Sequence, residues 1–166
     1  MKQKINIYVC IIVIILSSCS SEANSINPLS ISSPDIGVAI QSENYLEVTA
    51  PNGWNTFKTD GTISLMIRNI SDKRIVSQQD FGAKIFIFTT DKWNEVENRT
   101  VYLNDQITLD PNKNFDPTKI VSLFIRPDLP DYSKSSYLRI FVVGRVLNNG
   151  QKQAEIATFI DLELHP

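Results

Sequence analysis

Short runs of β-branched and aromatic residues, separated by turn sequences, recur along most of the chain. Residues 62–69 alternate between apolar and polar side chains, and residues 154–164 alternate with the same period of two. This period is that of a β-strand with one buried face. Because no stretch after Leu16 has sustained helical periodicity, the pattern predicts an all-β chain.

The spacing of these runs indicates how the strands are arranged. Residues 84–89 are apolar on both faces, which is typical of a central strand covered on each side or of a strand at an interface. Residues 137–147 and 154–164 are the longest runs, and Asn148-Asn149-Gly150 between them predicts a hairpin turn. We therefore expect an antiparallel β-sandwich of about seven to eight strands, with a barrel as the alternative fold.

One face of the run at residues 137–147 mixes charged and apolar side chains. Arg139 and Arg145 share this face with Phe141, because successive side chains of a strand alternate between its two faces. Such a mixed face is either solvated or covered by a partner.

The first 19 residues have the features of an export signal. Lys2 and Lys4 precede an unbroken apolar run at residues 7–16, which is too short for a bilayer span of about 20 residues. The end of the run, Leu16-Ser17-Ser18-Cys19, resembles the lipobox of bacterial lipoproteins. This resemblance implies cleavage before Cys19 and attachment of acyl chains such as palmitate to that cysteine. An ordinary secretory signal or a short uncleaved anchor is the alternative.

The chain thus divides into three predicted parts. Residues 1–18 are a lipoprotein signal peptide, and residues 19–34 form the acylated cysteine and a flexible tether rich in Ser, Asn and Pro. Residues 35–166 form the sandwich domain, which lacks a cysteine pair and resembles the disulfide-free immunoglobulin-like domains of bacterial exported proteins. The resemblance implies a lipid-anchored protein at the outer membrane of a cell with two membranes, or otherwise at the outer face of the cell membrane.

Composition and charge narrow the function classes. The chain has 16 Lys and Arg against 18 Asp and Glu; residues 1–18 hold two of the lysines and no acid, which leaves 14 against 18 and a net charge of −4. This mildly acidic balance argues against nucleic-acid partners, so membrane contact is expected through the lipid on Cys19. Two cysteines and one histidine exclude a zinc cluster and a disulfide framework, and no cofactor is expected.

Residues suited to catalysis are scarce in the sequence. His165 is the penultimate residue, where chains usually fray, whereas a general base needs a fixed position. No serine lies in a nucleophile elbow, and no glycine-rich phosphate loop follows a strand. The sequence therefore predicts that the protein is not an enzyme.

One loop has the spacing of oxygen ligands that calcium sites use. Its oxygen-bearing side chains occupy alternate positions: Asp110, Asn112, Asn114 and Asp116. The full calcium-loop pattern fails, because Phe115 stands where glycine makes the turn and Val121 stands where a glutamate closes the ligand shell. The alternative is an inter-strand loop in which these side chains stabilise local turns.

Aromatic side chains offer another candidate site. Trp54 and Phe57 lie in a loop-like stretch, where they would either stack on a sugar or fold back to close the end of the sandwich. For Trp93 we expect packing rather than ligand binding.

Together these features favour a binding role. The leading expectation is a lipid-anchored, non-enzymatic binding or accessory module for a protein partner in the envelope. One alternative is a carbohydrate- or solute-binding domain that uses Trp54 and Phe57. The other is a protease-inhibitor-like immunoglobulin-like module, for which the proline-bearing loop at residues 128–131 is the candidate.

Overall fold

The computed structural model of the protein describes residues 28–38, 44–51, 56–58, 61–103, 105–129, 136–148 and 151–165. Ten strands lie in these residues: β1 (Leu46–Thr49), β2 (Thr56–Lys58), β3 (Ile63–Asn69), β4 (Arg74–Gln78), β5 (Lys84–Thr89), β6 (Lys92–Val96), β7 (Gln106–Leu109), β8 (Val121–Ile125), β9 (Ser136–Asn148) and β10 (Gln151–His165). Single 3-10 turns are formed by Pro28–Ser30 and Pro117–Lys119.

The strands form two sheets. The smaller sheet has the order β1-β3-β8, and the larger has the order β2-β10-β9-β4-β7, with β5 also paired to β9 and β6 paired to β5. The prediction of an all-β sandwich is confirmed. The strands outnumber the seven or eight expected because pieces as short as the three residues of β2 are too short to show alternation. The pairing of β2 with β10 is parallel, whereas the other strand pairs are antiparallel.

The core lies between the inner faces of the two sheets. Strand β3 alternates buried and half-buried residues along its whole length, as its sequence predicts. Fully buried side chains from both sheets meet in this core: Ile63, Leu65, Ile67, Leu123 and Ile125 from the smaller sheet, and Ile75, Ile85, Ile87, Leu138, Ile140 and Val142 from the larger. The alternation therefore decides which face of each strand packs inward.

Strand β9 is flanked on one side by two strands in succession. The C-terminal part of β9, residues 145–147, pairs with β4, and its N-terminal part, residues 138–141, pairs with β5. Between β4 and β5 the chain leaves the sheet at residues 79–83, although the carbonyl of Phe81 still accepts a 2.7 Å hydrogen bond from the amide of Val143. Phe81 has a φ of 55° and a fully buried ring. Burial of the ring, about 1.5–3 kcal/mol, offsets the cost of the left-handed backbone, about 1–2 kcal/mol.

The N-terminal segment, residues 33–38, lies on the outer face of the larger sheet. Ile36 is buried there against Phe86, Phe141 and Ala157. Strand β5 is therefore covered on both sides, as its two apolar faces predict. The mixed face of β9 is covered by the protein's own chain at Arg139 and Phe141, whereas Arg145 remains exposed to solvent.

Gly144 occupies an inward-facing position of β9 beside Ile75. A Cβ atom at residue 144 would lie 2.6 Å from Cγ2 of Ile75, which is fully buried. We expect Gly144→Ala to lower the free energy of unfolding by about 1–3 kcal/mol, because a packed core does not yield to an added methyl group without strain. Chemical denaturation measures the change.

The double variant Gly144→Ala/Ile75→Ala is the control. Truncating Ile75 removes the opposing methyl group, so the two changes together should cost less than the sum of the single changes. Strictly additive costs would show that this contact is not the reason for the glycine.

Candidate functional site

Four pairs of side chains line the outer face of β9 and β10. Antiparallel register places these residues directly opposite each other: Arg139 and Asp161, Phe141 and Phe159, Val143 and Ala157, Arg145 and Glu155. Because side chains two residues apart share a face, all eight point away from the sandwich core. The face thus has an ion pair at each end and apolar pairs between them.

Arg139 is held on every side. Its guanidinium donates to both carboxylate oxygens of Asp161, at 2.7 and 2.8 Å, and to the hydroxyl of Ser33 at 3.1 Å. The guanidinium carbon also lies 4.6 Å from the ring centre of Trp93 and 4.4 Å from that of Phe159. With only 3% of its surface exposed, Arg139 stabilises the face and is closed to a ligand.

The aromatic side chains around Arg139 pack edge to face or tilted. The ring centres of Phe86 and Phe141 are 5.7 Å apart at 88°, and those of Phe88 and Trp93 are 5.3 Å apart at 67°. Trp93 is therefore packed, as the sequence analysis expects. Its indole N–H is buried and has no hydrogen-bond partner among the described residues.

A cleft opens between the N-terminal segment and the place where β4 and β5 part. Its volume is about 320 Å³. Ile36, Val38 and Val143 supply apolar lining, and Lys84 also lines the cleft. The Lys84 ammonium donates a long, 3.4 Å hydrogen bond to the carbonyl of Ile36. The cleft therefore combines aliphatic side chains with polar and charged groups that can orient a ligand.

Arg145 also lines the cleft, but its charge is compensated. Its guanidinium donates to a carboxylate oxygen of Glu155, with nitrogen–oxygen distances of 2.8 and 2.6 Å. Both side chains are more than two-fifths exposed, so the pair contributes little to stability.

The candidate calcium loop is closed by bonds among its own residues. Asn112 is buried; its amide donates to the carbonyl of Asp116 at 2.8 Å and its oxygen accepts from the Asp116 amide. Asp110 accepts a 3.0 Å hydrogen bond from Arg74, and Asn114 is exposed. Among the described residues, no three or more His, Cys, Asp or Glu side chains are grouped to hold a metal. A calcium role for this loop stays a prediction.

The carboxylate of Asp116 accepts hydrogen bonds from the hydroxyl and the amide of Thr118, at 2.6 and 2.9 Å. These bonds lower the pKa of Asp116 below its ordinary value. Since the folded-state pKa is depressed, the stabilisation is present above the ordinary pKa and is lost as pH falls through the folded value. The carboxylate thus caps a local turn.

Exposed apolar side chains lie on the chain just before β7 and on the outer face of β8. Val101 is 94% exposed, Leu103 is 70% exposed and Phe124 of β8 is 53% exposed. Tyr102 links the two stretches of chain, because its hydroxyl donates a hydrogen bond to the carbonyl of Phe124. Burial raises the pKa of the Tyr102 hydroxyl above its ordinary value. We call Val101, Leu103 and Phe124 the apolar ridge.

The remaining predicted site residues lie partly outside the described residues. Cys19, Trp54 and Asp131 lie outside the described residues. Phe57 lies in β2, where its backbone pairs with Leu164. Asp128 accepts a hydrogen bond from Arg99, so this end of the proposed inhibitor loop is engaged within the domain.

The cleft and the ridge were not foreseen from the sequence. The cleft is assembled by strands distant in sequence, so no local motif marks Lys84. The ridge had a signal: Val101-Tyr102-Leu103 is an apolar triplet in a polar stretch with no strand pattern around it. Such a triplet in a loop is a better marker of a surface than a strand-like run.

Comparison with known proteins finds a distant structural likeness. Neither a protein-family model nor a curated protein matches the chain. A solved structure of AvmM, which catalyzes macrocyclization in alchivemycin A biosynthesis, is 12% identical, and the alignment covers 82% of this chain and 96% of that one, with a TM-score of 0.32.

The expectation that the protein is not an enzyme is contradicted by this neighbour, and we withdraw it. A lack of catalytic motifs does not by itself exclude catalysis. The physical reason is that groups brought together from distant strands leave no motif in the sequence. At a TM-score of 0.32, the likeness assigns neither a reaction nor a site to this protein.

Within the residues that the structure describes, no helix has the length and apolar character needed to cross a bilayer.

The two ion pairs of the outer face should differ in their effect on stability. We expect Asp161→Asn to lower the free energy of unfolding by about 3 kcal/mol or more, because it leaves the buried Arg139 without a counter-charge. Glu155→Gln breaks the exposed ion pair with Arg145 at the other end of this face. It should lower the free energy of unfolding by less than about 1 kcal/mol. Urea denaturation of both variants measures the contrast, and equal costs would refute the structural role of Arg139.

Proposed function

We propose that the protein is an exported lipoprotein, anchored through Cys19, whose sandwich domain binds a protein partner in the envelope. Leu16-Ser17-Ser18-Cys19 at the end of a short apolar run supports the anchor. In a cell with two membranes the proposal places the protein at the outer membrane, because Ser20 is not the aspartate that often marks inner-membrane retention.

The apolar ridge is the observation that carries the binding role. Its backbone is held by hydrogen bonds: the amide of Leu103 donates to the side chain of Gln79 at 3.0 Å, and the amide of Arg99 donates to the carbonyl of Arg126 at 2.8 Å. The Tyr102 hydroxyl ties the same stretch to β8. The exposed side chains are thus presented by an ordered backbone.

An ordered apolar surface is suited to a protein partner. Burying a Val, Leu or Phe side chain contributes about 1.5–3 kcal/mol each, so the three side chains of the ridge offer a usable binding energy. Because the backbone is already ordered, association costs less conformational entropy than it would for a flexible loop.

The anchor is tested by replacing each of the two cysteines of the chain. We expect Cys19→Ala to abolish metabolic labelling by an alkyne analogue of palmitate, because the thiol that carries the lipid is gone. Cys10→Ala is the matched control and should leave labelling unchanged, since Cys10 lies within the apolar run. Labelling that persists in Cys19→Ala would refute the lipid anchor.

The binding role is tested by crosslinking in the native envelope. A photoreactive residue in place of Tyr137, on the outer face of the larger sheet, or of Ser122, beside Phe124 on β8, reports contacts on opposite sides of the sandwich. We expect a discrete crosslinked partner from position 122 and its loss, by about tenfold or more, when Leu103→Asp places a charge in the interface. The measurement is band intensity after irradiation.

Phe115→Asp is the matched control for that loss. Phe115 is 60% exposed and lies outside the ridge, beside Arg68 of β3, so the change removes a comparable exposed apolar side chain near the same sheet without altering Val101, Leu103 or Phe124. Crosslinking that falls equally in Phe115→Asp and Leu103→Asp, or that yields no discrete product, would refute the ridge as the partner surface.

A further inference from the structure

We infer that the cleft on the outer face of the larger sheet binds a small aliphatic carboxylate. It lies between the N-terminal segment and the point where β4 and β5 part. The cleft belongs to the larger sheet, whereas β8, which carries Phe124 of the apolar ridge, belongs to the smaller sheet. The inference is therefore independent of the proposed protein partner and of the lipid anchor.

The charges around the cleft favour an anion. Arg145 and Glu155 compensate each other, and Lys84 is the remaining charge of the described cleft lining; away from the cleft it shares a second cavity with Glu95 and Glu97. No carboxylate among the described residues forms an ion pair with Lys84. Its one described hydrogen bond, at 3.4 Å, is weak, so the ammonium retains donors for a ligand.

The side chain of Lys84 is placed to receive a carboxylate rather than to remain in free solvent. It is half-buried between β9 and the N-terminal segment, next to the carbonyl of Ile36. A partly desolvated ammonium gains more from a charge-assisted hydrogen bond than one in bulk water. A carboxylate oxygen is a stronger acceptor than the distant carbonyl it would replace or supplement.

The apolar walls indicate what the carboxylate is attached to. Ile36, Val38 and Val143 line the cleft. These are aliphatic side chains, without an aromatic ring among the described lining on which a sugar or a base would stack. A volume of about 320 Å³ accommodates a short aliphatic chain.

Polar side chains also line the cleft. Gln78 and Gln106 lie opposite each other on β4 and β7. Each amide both donates and accepts hydrogen bonds, so the cleft tolerates a second polar group or water beside the ligand. In the inferred complex the carboxylate binds Lys84 and the aliphatic chain contacts the apolar lining.

Hexanoate is the probe, with hexanol and hexylammonium as matched ligands of the same chain length. The full-length protein is kept in detergent solution, and detergent micelles without protein correct for partition of the probe. We expect hexanoate to bind and to perturb the backbone amide signals of Gly82 and Gly144, both of which line the cleft. Hexanol and hexylammonium should bind more weakly, because neither carries a charge that complements Lys84.

Two lysine variants separate a site from general attraction to positive charge. Lys84→Met retains an apolar stem and removes the ammonium, so hexanoate affinity should fall by about tenfold. Lys119→Met is the matched control, because the Lys119 ammonium likewise donates one 3.4 Å hydrogen bond to a backbone carbonyl, that of Pro111, and lies outside the cleft. It should bind hexanoate as the unmodified protein does.

Several results would overturn the inference. These are absence of hexanoate binding in the millimolar range, equal affinities in Lys84→Met and Lys119→Met, and amide perturbations that avoid Gly82 and Gly144. If Lys84→Met fails to fold, the amide map of the unmodified protein and the ranking of the three probes still decide the question. Loss of hexanoate binding would leave crosslinking at the ridge unaffected, because the two surfaces share no residue.

Discussion

Strand β9 pairs with β10 along one edge and with both β4 and β5 along the other, and its two faces contact two different layers. Its inner side chains pack into the sandwich core, while its outer side chains pack under the N-terminal segment. The register of β9 with β10 therefore decides what every neighbouring layer meets. A shift by one residue would move Arg139 into the apolar core and bring Leu138 to the outer face.

The outer face makes this register costly to change. Arg139 is bound by Asp161 across the strands and enclosed by Trp93 and Phe159. A buried guanidinium is tolerated when its donors and its charge are matched, and it is strongly disfavoured otherwise. Apolar contacts in the core are compatible with several registers of β9 and β10, whereas the hydrogen bonds of Arg139 are compatible with one. We interpret it as the element that selects a single alignment of the two longest strands.

The parts of the structure that the sequence predicts are those that depend on neighbouring residues. Alternation at Ile63 to Asn69 identifies β3 and its buried face, and the two apolar faces of residues 84–89 identify a strand covered on both sides. The departure of residues 79–83 from the sheet was not predictable, because the burial of Phe81 repays a strained backbone only in the folded state. The cleft was missed for a related reason: Lys84 and Val38 meet only through the topology.

The N-terminal segment also determines where any chain that precedes it leaves the domain. Ser33 is bonded to Arg139 on the outer face, so the chain that precedes Ser33 meets the domain at that face. Tension on this preceding chain would reach Ser33 and Ile36, and so the cleft that Ile36 lines, before it reached the sandwich core.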